Sequence, residues 1–493
     1  MKKLAIALGI TGLVLAGAGA ALYVALLPPR IPVPEAQGHV FHDVTLLEPG
    51  RPPLPGQTLR IADGRIASIR PTLPGEAAEA TGAAAALTGL VVTPGLIDLH
   101  VHYPPQVAIG NPELWSLLFL AHGVTTVRET GSIDGSIFRV RAAIEAGRTP
   151  GPRIFACGLM IDGTPPSFPS NRVVTTPAEV RAAVREQAEA GADCIKAYNM
   201  LEPAVLTALV EEAGAQGLPA IGHVPHAASF ETAGLVDLQH GTGAVLIDRE
   251  KIGRMDFRWE DWETVDEGRV AYVAAVSRGQ GIAHTPTLVN GRMRKLLLDP
   301  AAGEAAWQRD TGLRHLPRFW IGVWETLWGN PYDPADPAAT AAHAGFMERQ
   351  PALAAGLHAA GAQIHAGTDT LMPYVAPGSS LHGELADLRA AGIPAQDVWR
   401  IATQDAGEAL GAPGLGTLAI GAPADLVFLK GVPPPEGIAW DPSQTAAVVA
   451  AGRVYLRGDL DETLSRLDDH FNGRSYRAVM SVLVRSIQGT FAP

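Results

Sequence analysis

Two histidines one residue apart, His100 and His102, close the apolar stretch Gly95-Leu96-Ile97-Asp98-Leu99-His100-Val101-His102. A strand's period of two puts both imidazoles and Asp98 on one face. Paired imidazoles at a strand end are suited to hold a metal ion. More metal-capable side chains follow at similar places. Lys196 ends Asp193-Cys194-Ile195-Lys196, His223 ends Ala220-Ile221-Gly222-His223, and His240 ends Asp237-Leu238-Gln239-His240. Asp369 comes directly after Ile364-His365-Ala366-Gly367-Thr368. Each has an ordinary structural explanation by itself, but five strand ends agreeing point to one metal centre. Tyr198, two residues past Lys196, points to the same side. His226 is an extra imidazole beside His223, and His284 is placed to line a pocket. His365 reads as a core residue, and His122 and His382 as structural or supporting ones. Cys194 reads as packing, because no base is placed to make it a nucleophile. Arg128, at another strand end, is the candidate partner for a substrate carboxylate.

The elements that must position these groups alternate along the chain. Strand patterns cover Leu96–His102, Val124–Glu129, Arg153–Cys157, Asp193–Tyr198, Pro219–His223, Val236–His240, Gly281–Leu288 and Gln363–Thr368, with amphipathic helices such as Pro177 to Ala190 and Glu202 to Gln216 between them. The expectation is an α/β protein with a (β/α)₈ TIM-like barrel, whose carboxyl strand ends form the site. Residues 39–92 read as short strands, with a hairpin around Ala62-Asp63-Gly64, and 416–457 read the same way. The barrel, 93–415, is therefore expected to be inserted in a small composite β-sandwich made by both chain ends. Within it, 248–346 is a Trp-rich helical insertion expected over the barrel mouth. The tail, 458–493, repeats apolar residues at helix spacing, which fits a docked helix pair or a homo-oligomer contact.

The chain has 493 residues and 47% hydrophobic content, which excludes a disordered protein. A net charge of -12 without a basic run excludes a nucleic-acid partner. Cys157 and Cys194 are the two cysteines, too few for a disulfide scaffold or a cysteine-rich zinc site. Met1-Lys2-Lys3 precedes an uncharged run from Leu4 to Leu27, long enough as a helix for a ~30 Å hydrocarbon core. Residues 1–30 are thus expected to anchor the chain in the cell membrane by a single pass, with an exported, periplasmic catalytic domain. The rival is a signal peptide cleaved after Ala18-Gly19-Ala20, giving a secreted or periplasmic protein.

Val92-Thr93-Pro94-Gly95-Leu96-Ile97-Asp98-Leu99-His100-Val101-His102 resembles the signature of the amidohydrolase superfamily. So do Gly222-His223-Val224-Pro225, His240-Gly241, Gly367-Thr368-Asp369 and the closing Gly421-Ala422-Pro423-Ala424-Asp425-Leu426-Val427. Within it the chain is most similar to the imidazolonepropionase-like and Xaa-Pro dipeptidase (prolidase) branch. The resemblance implies two divalent ions, with zinc the expected metal. His100, His102 and Asp369 would hold one ion and His223 and His240 the second, with Lys196 bridging as a carbamate. Burial favours the neutral amine that can capture carbon dioxide, which agrees with that role. Asp369 would be the acid–base group and Tyr198 a donor to the oxyanion. The small-molecule substrate would be a dipeptide, an N-acyl amino acid or a cyclic amide, cleaved by metal-activated hydroxide. Alternatives are an esterase, carbamate or phosphotriester hydrolase on the same site, a mononuclear ring hydrolase, and a non-catalytic membrane-tethered binding protein.

Overall fold

The computed structural model describes residues 23–246, 259–329, 332–431 and 442–491. Strands from both chain ends meet in one seven-stranded sheet. Its members are β1 (His39–Leu46), β2 (Leu54–Ala62), β3 (Arg65–Pro71), β4 (Val91–Pro94), β15 (Leu426–Leu429), β16 (Thr445–Ala450) and β17 (Arg453–Leu456), in the order β17-β16-β15-β4-β1-β2-β3. Asp63 (φ 50°) and Gly64 (φ 68°) form the β2–β3 turn. Two successive left-handed residues give the turn twist that suits a two-residue hairpin, and Asp-Gly adopts it at low cost. Phe41, Leu59, Val92 and Phe428 are buried against one another on this sheet. The ends thus combine as expected, with their strands in one hydrogen-bonded sheet.

The middle of the chain supplies parallel strands. β5 (Leu96–Val101), β6 (Val124–Glu129) and β7 (Arg153–Ala156) form one sheet. The other runs β14-β13-β12-β11-β10-β8-β9, from β8 (Ile161–Asp162), β9 (Arg172–Val173), β10 (Ile195–Ala197), β11 (Ala220–Gly222), β12 (Asp237–Gln239), β13 (Ala283–Thr285) and β14 (Gln363–Ile364). The two sheets touch at both edges. Leu99 N–H donates to Ala366 O at 2.9 Å and His102 N–H to Thr370 O at 3.2 Å; on the other side Asp193 N–H donates to Ala156 O at 2.8 Å. The fold is a mixed α/β one built on parallel strands, and the ladders do not join into one closed ring. The physical reason lies past β14, where the chain leaves extended geometry and Asp369 sits at φ 62°. That departure interrupts the ladder with β5 and turns the carboxylate inward.

Helices cover the parallel strands. Pro177–Glu189 starts from Thr176, whose side chain accepts the Glu179 N–H at 3.2 Å while the Glu179 carboxylate accepts the Thr176 N–H at 3.1 Å. This reciprocal cap, with proline at the first helical position, fixes where the helix begins. After β12 come the 3₁₀ turn Trp259–Thr264 and the helices Glu267–Gln280, Leu288–Arg294, Pro300–Arg309, Phe319–Trp328 and Pro337–Ala359. The tail forms two docked helices, Arg457–Phe471 and Arg474–Phe491. Leu460, Leu464, Leu467 and Phe471 bury the inner face of the first. Tyr476 ties down the second by accepting from Asn111 (2.7 Å) and donating to Ile109 O (2.9 Å).

Two expectations are corrected here. The single-pass membrane localisation is overturned, because among the described residues no helix is long and apolar enough to cross a membrane. Of the run on which it rested, residues 4–22 lie outside the described residues. Leu26 is buried against the protein, and its carbonyl lies 3.1 Å from His470 Nε2. The second concerns Cys194, which is not a packing thiol but is joined to Cys157 in a disulfide. The edge contact between β7 and the segment entering β10 brings their Cα atoms to 4.4 Å, within disulfide reach.

Candidate active site

The side chains singled out at the strand ends converge on Asp369. His100 Nε2 lies 3.2 Å and His102 Nε2 3.1 Å from its Oδ1, and His240 Nε2 lies 3.8 Å from its Oδ2. His223 stands one ring further, 4.9 Å from the His240 ring between centroids. Lys196 is buried behind them and donates to Gln239 Oε1. Tyr198 stacks near His223, with centroids 4.3 Å apart. His240 (φ 59°) and Asp369 (φ 62°) both occupy left-handed backbone that costs a non-glycine residue about 1–2 kcal/mol. Such strain persists where surrounding structure enforces it, and it clusters at functional sites.

Hydrogen bonds fix which ring nitrogens are free. His102 Nδ1 lies 2.8 Å from Gly131 O, a group that can only accept. His223 Nδ1 lies 2.7 Å from Asn199 Oδ1. His240 Nδ1 lies 2.6 Å from Thr287 Oγ1, whose own proton goes to Pro286 O. Each Nδ1 therefore carries the proton, and each Nε2 presents a lone pair. Metal-bound histidines are oriented in this way, by an acceptor on the other nitrogen. Burial pushes His100 and His223 well below the ordinary histidine range and His240 down to about 4, so these rings are neutral. Both nitrogens of His100 are enclosed without a hydrogen-bond partner. Lone pairs facing a carboxylate repel unless a cation lies among them, so this donor set fits a divalent ion. His100, His240 and Asp369 offer ligand atoms within 4.8 Å of one another.

The surrounding charges agree with that chemistry. Burial raises the Asp369 carboxyl, and His100 and His240 lower it only in their protonated form; with neutral rings a bound cation would have to take over that role. Burial pushes the Lys196 ammonium down to about 7. No carboxylate among the described residues comes within ion-pair reach of Lys196. Asp98, below the histidines, accepts from Thr368 Oγ1 (2.7 Å) and from the Thr368 and His100 N–H groups, and burial raises it to about 7.

Other candidates fall elsewhere. Arg128 points under the site, bonded to Asp237 and, at 2.8 Å, to Leu99 O, so it cannot meet a substrate. His365 joins the same cluster, 3.0 Å from Asp237. His284 turns away from the cavity to Ser277 at 2.7 Å. His226 lines the cavity beside His223. His122 bonds Leu118 O and Thr311 (both 2.8 Å), and His382 bonds His122 O at 2.9 Å. Sequence reasoning missed Asn290, which donates to Asp369 Oδ2 at 2.7 Å, and Arg294, one helical turn further on. The available signal was the Thr285-Pro286-Thr287 turn, which sends the next helix across the strand ends.

Residues 91–248 and 347–464, more than half of the chain, match the amidohydrolase family. The chain belongs to the amidohydrolase family. It is a hydrolase of carbon–nitrogen bonds, and the resemblance read from its motifs is upheld. The amidohydrolase is similar to a bottromycin amidohydrolase, with 25% identity and a TM-score of 0.67 over 92% of this chain and 93% of that one. A Xaa-Pro dipeptidase crystallised with methionine in its active site shares the fold, with 21% identity and a TM-score of 0.59 over 85% of this chain and 100% of that one. Adenine deaminase 2 of Rhizobium etli is 44% identical over 66 residues, a match spanning 13% of this chain and 11% of the deaminase.

Proposed function

We propose that this amidohydrolase cleaves an amide bond in a dipeptide, an N-acyl amino acid or a cyclic amide, and that it binds two divalent ions to do so. The observation that carries the reading is the set of bare Nε2 atoms gathered around one carboxylate with a buried lysine behind it. His100, His102 and Asp369 would hold one ion, His223 and His240 the other, and a carbamate on Lys196 would bridge them. An anionic bridge would offset the repulsion between two dications. Bound there, the ions supply Lewis acidity that polarises the substrate carbonyl and acidifies the attacking water. In this reading the two parallel sheets are the wall of one barrel, with the site at its carboxyl end.

The chain's own groups handle the protons. Asp369 is ionised and therefore able to take the proton of the attacking water. It returns that proton to the departing nitrogen as the carbon–nitrogen bond breaks, leaving a carboxylate and an amine. Asn290 holds Oδ2 of Asp369 and so presents Oδ1 to the site. Burial raises the Tyr198 phenol, which therefore keeps the proton it donates to the developing oxyanion.

A second reading has one ion, because His100, His240 and Asp369 already form a compact ligand set. Elemental analysis of zinc-loaded protein decides between them. Two ions per chain, falling in Lys196→Ala, are expected; a single ion with activity indifferent to Lys196 would refute the binuclear reading. Turnover of Xaa-Pro dipeptides and N-acyl amino acids, compared with aryl esters, tests the bond.

A further inference from the structure

The cavity over the strand ends has a volume of about 450 Å³, and two cationic side chains line it. Lys196 is engaged by Gln239, as described. Arg294 is not engaged in this way. Its Nε is enclosed without a hydrogen-bond partner, and no carboxylate among the described residues lies within ion-pair reach of its guanidinium. Its guanidinium carbon lies over the face of Trp259, 6.0 Å from the ring centroid. Neighbouring arginines differ. Arg292 pairs with Asp387 at 2.9 Å, and Arg269 donates to Gly243 O and Ala244 O at 2.7 Å. A half-buried guanidinium without a direct ion pair has lost hydration and keeps only the more distant attraction of Asp369 in return. It is suited to a carboxylate brought from outside, which a guanidinium can grip with two parallel bonds.

Its position relative to the reacting groups is defined. Asn290 and Arg294 lie four residues apart in the helix Leu288–Arg294, so they share a face about 6 Å apart along its axis. Asn290 touches Asp369, which puts Arg294 one turn from the carboxylate that serves the departing nitrogen. In an N-acyl amino acid the carboxylate is attached through one carbon to that nitrogen, which sets it to one side of the scissile bond. Part of the lining is an apolar wall: Phe319, Trp320, Val323 and Leu327 from one helix face the cavity with Leu483 and Ile487 from the last.

We propose that Arg294 is a specificity-determining residue that binds the carboxylate of an N-acyl amino acid, whose acyl chain lies on the apolar wall. The assignment rests on the amide-hydrolase reading and narrows its substrate class. The wall suits a long acyl group better than a second polar residue of a peptide.

The test compares N-octanoyl-L-leucine with N-isoamyl octanamide, the same amide without its carboxylate, on zinc-loaded protein. Wild type is expected to favour the acid by ~10²-fold in kcat/KM. Arg294→Gln should remove that preference, mainly through KM and with little change for the neutral amide, and Arg294→Lys should recover part of it. Tryptophan fluorescence supplies a binding readout independent of turnover. If neither amide is cleaved but the acid binds, and Arg294→Gln raises its Kd at least ~10-fold, the carboxylate site stands and the bond assignment falls. If both amides are cleaved equally, or Arg294→Gln keeps the wild-type preference, the proposal is overturned and the amide-hydrolase reading survives. Neither binding nor turnover would overturn both.

Discussion

On the floor of the cavity, His100, His102, His240 and Asp369 are separated by up to 269 positions in sequence, yet their reactive atoms lie within 3.1–3.8 Å of one carboxylate. Over that floor, the helices Phe319–Trp328 and Arg474–Phe491 pack against each other. The floor is almost wholly polar at its centre, and His102, His223 and His240 are each fixed by an acceptor that specifies the ring proton. The cover is pinned by a few hydrogen bonds from Tyr476, Trp320 and Trp324, and its cavity face is apolar packing, which tolerates exchange of one apolar side chain for another. On the proposed reading, chemistry belongs to the floor, and the choice of substrate to Arg294 and the apolar cover.

The hardest test of this division is the floor itself. Asp369→Asn keeps an oxygen in place but removes the group that moves the proton. Turnover should fall by ~10²–10⁴ with a smaller loss of bound metal, measured by steady-state kinetics and elemental analysis on the same sample. Near-normal turnover would remove Asp369 from the acid–base role and blur the contrast between floor and cover.

Much of the floor was legible because local rules place it. The two-residue strand period set His100 and His102 on one face, and strand ends in a parallel α/β fold share one rim. What escaped depended on tertiary placement. Arg128 ends a strand as His223 does, but points down to Asp237, and no sequence period distinguishes the two. Cys157 and Cys194 meet because β7 lies against the entry to β10, a neighbour relation that spacing does not encode. β8 and β9, two residues each, are too short to leave a periodic pattern.

A smaller effect separates the two faces of the floor. Burial pushes His284 down to about 4, on the side of β13 turned toward Ser277. The unfolded chain takes up that proton from about pH 6.5 downward, whereas the folded chain resists it until about pH 4. Stability is therefore complete above pH 6.5 and declines as pH falls toward 4, by at most about 3 kcal/mol for this one group. In metal-loaded protein, where the facing histidines would be held neutral, His284→Gln should flatten the decline seen in denaturant titrations at stepped pH. An unchanged slope would mean that His284 is not the group responsible.

The cover should give the smallest effect and the most selective one. Leu483 and Ile487 are half-buried and face the cavity, while Tyr476 and Met480 anchor the same helix from its buried side. Replacing both cavity residues by serine leaves the anchors intact, so the helix should stay docked. Removing roughly 50 Å² of apolar contact with a bound chain costs about 1.3 kcal/mol at ~25 cal/mol per Å², or about tenfold in KM. That loss should appear for N-octanoyl-L-leucine and not for N-acetyl-L-leucine, whose acyl group is too short to reach the wall. Equal losses on both substrates would show that the helix supports the floor as a whole, and the separation of chemistry from selection would fail at this point.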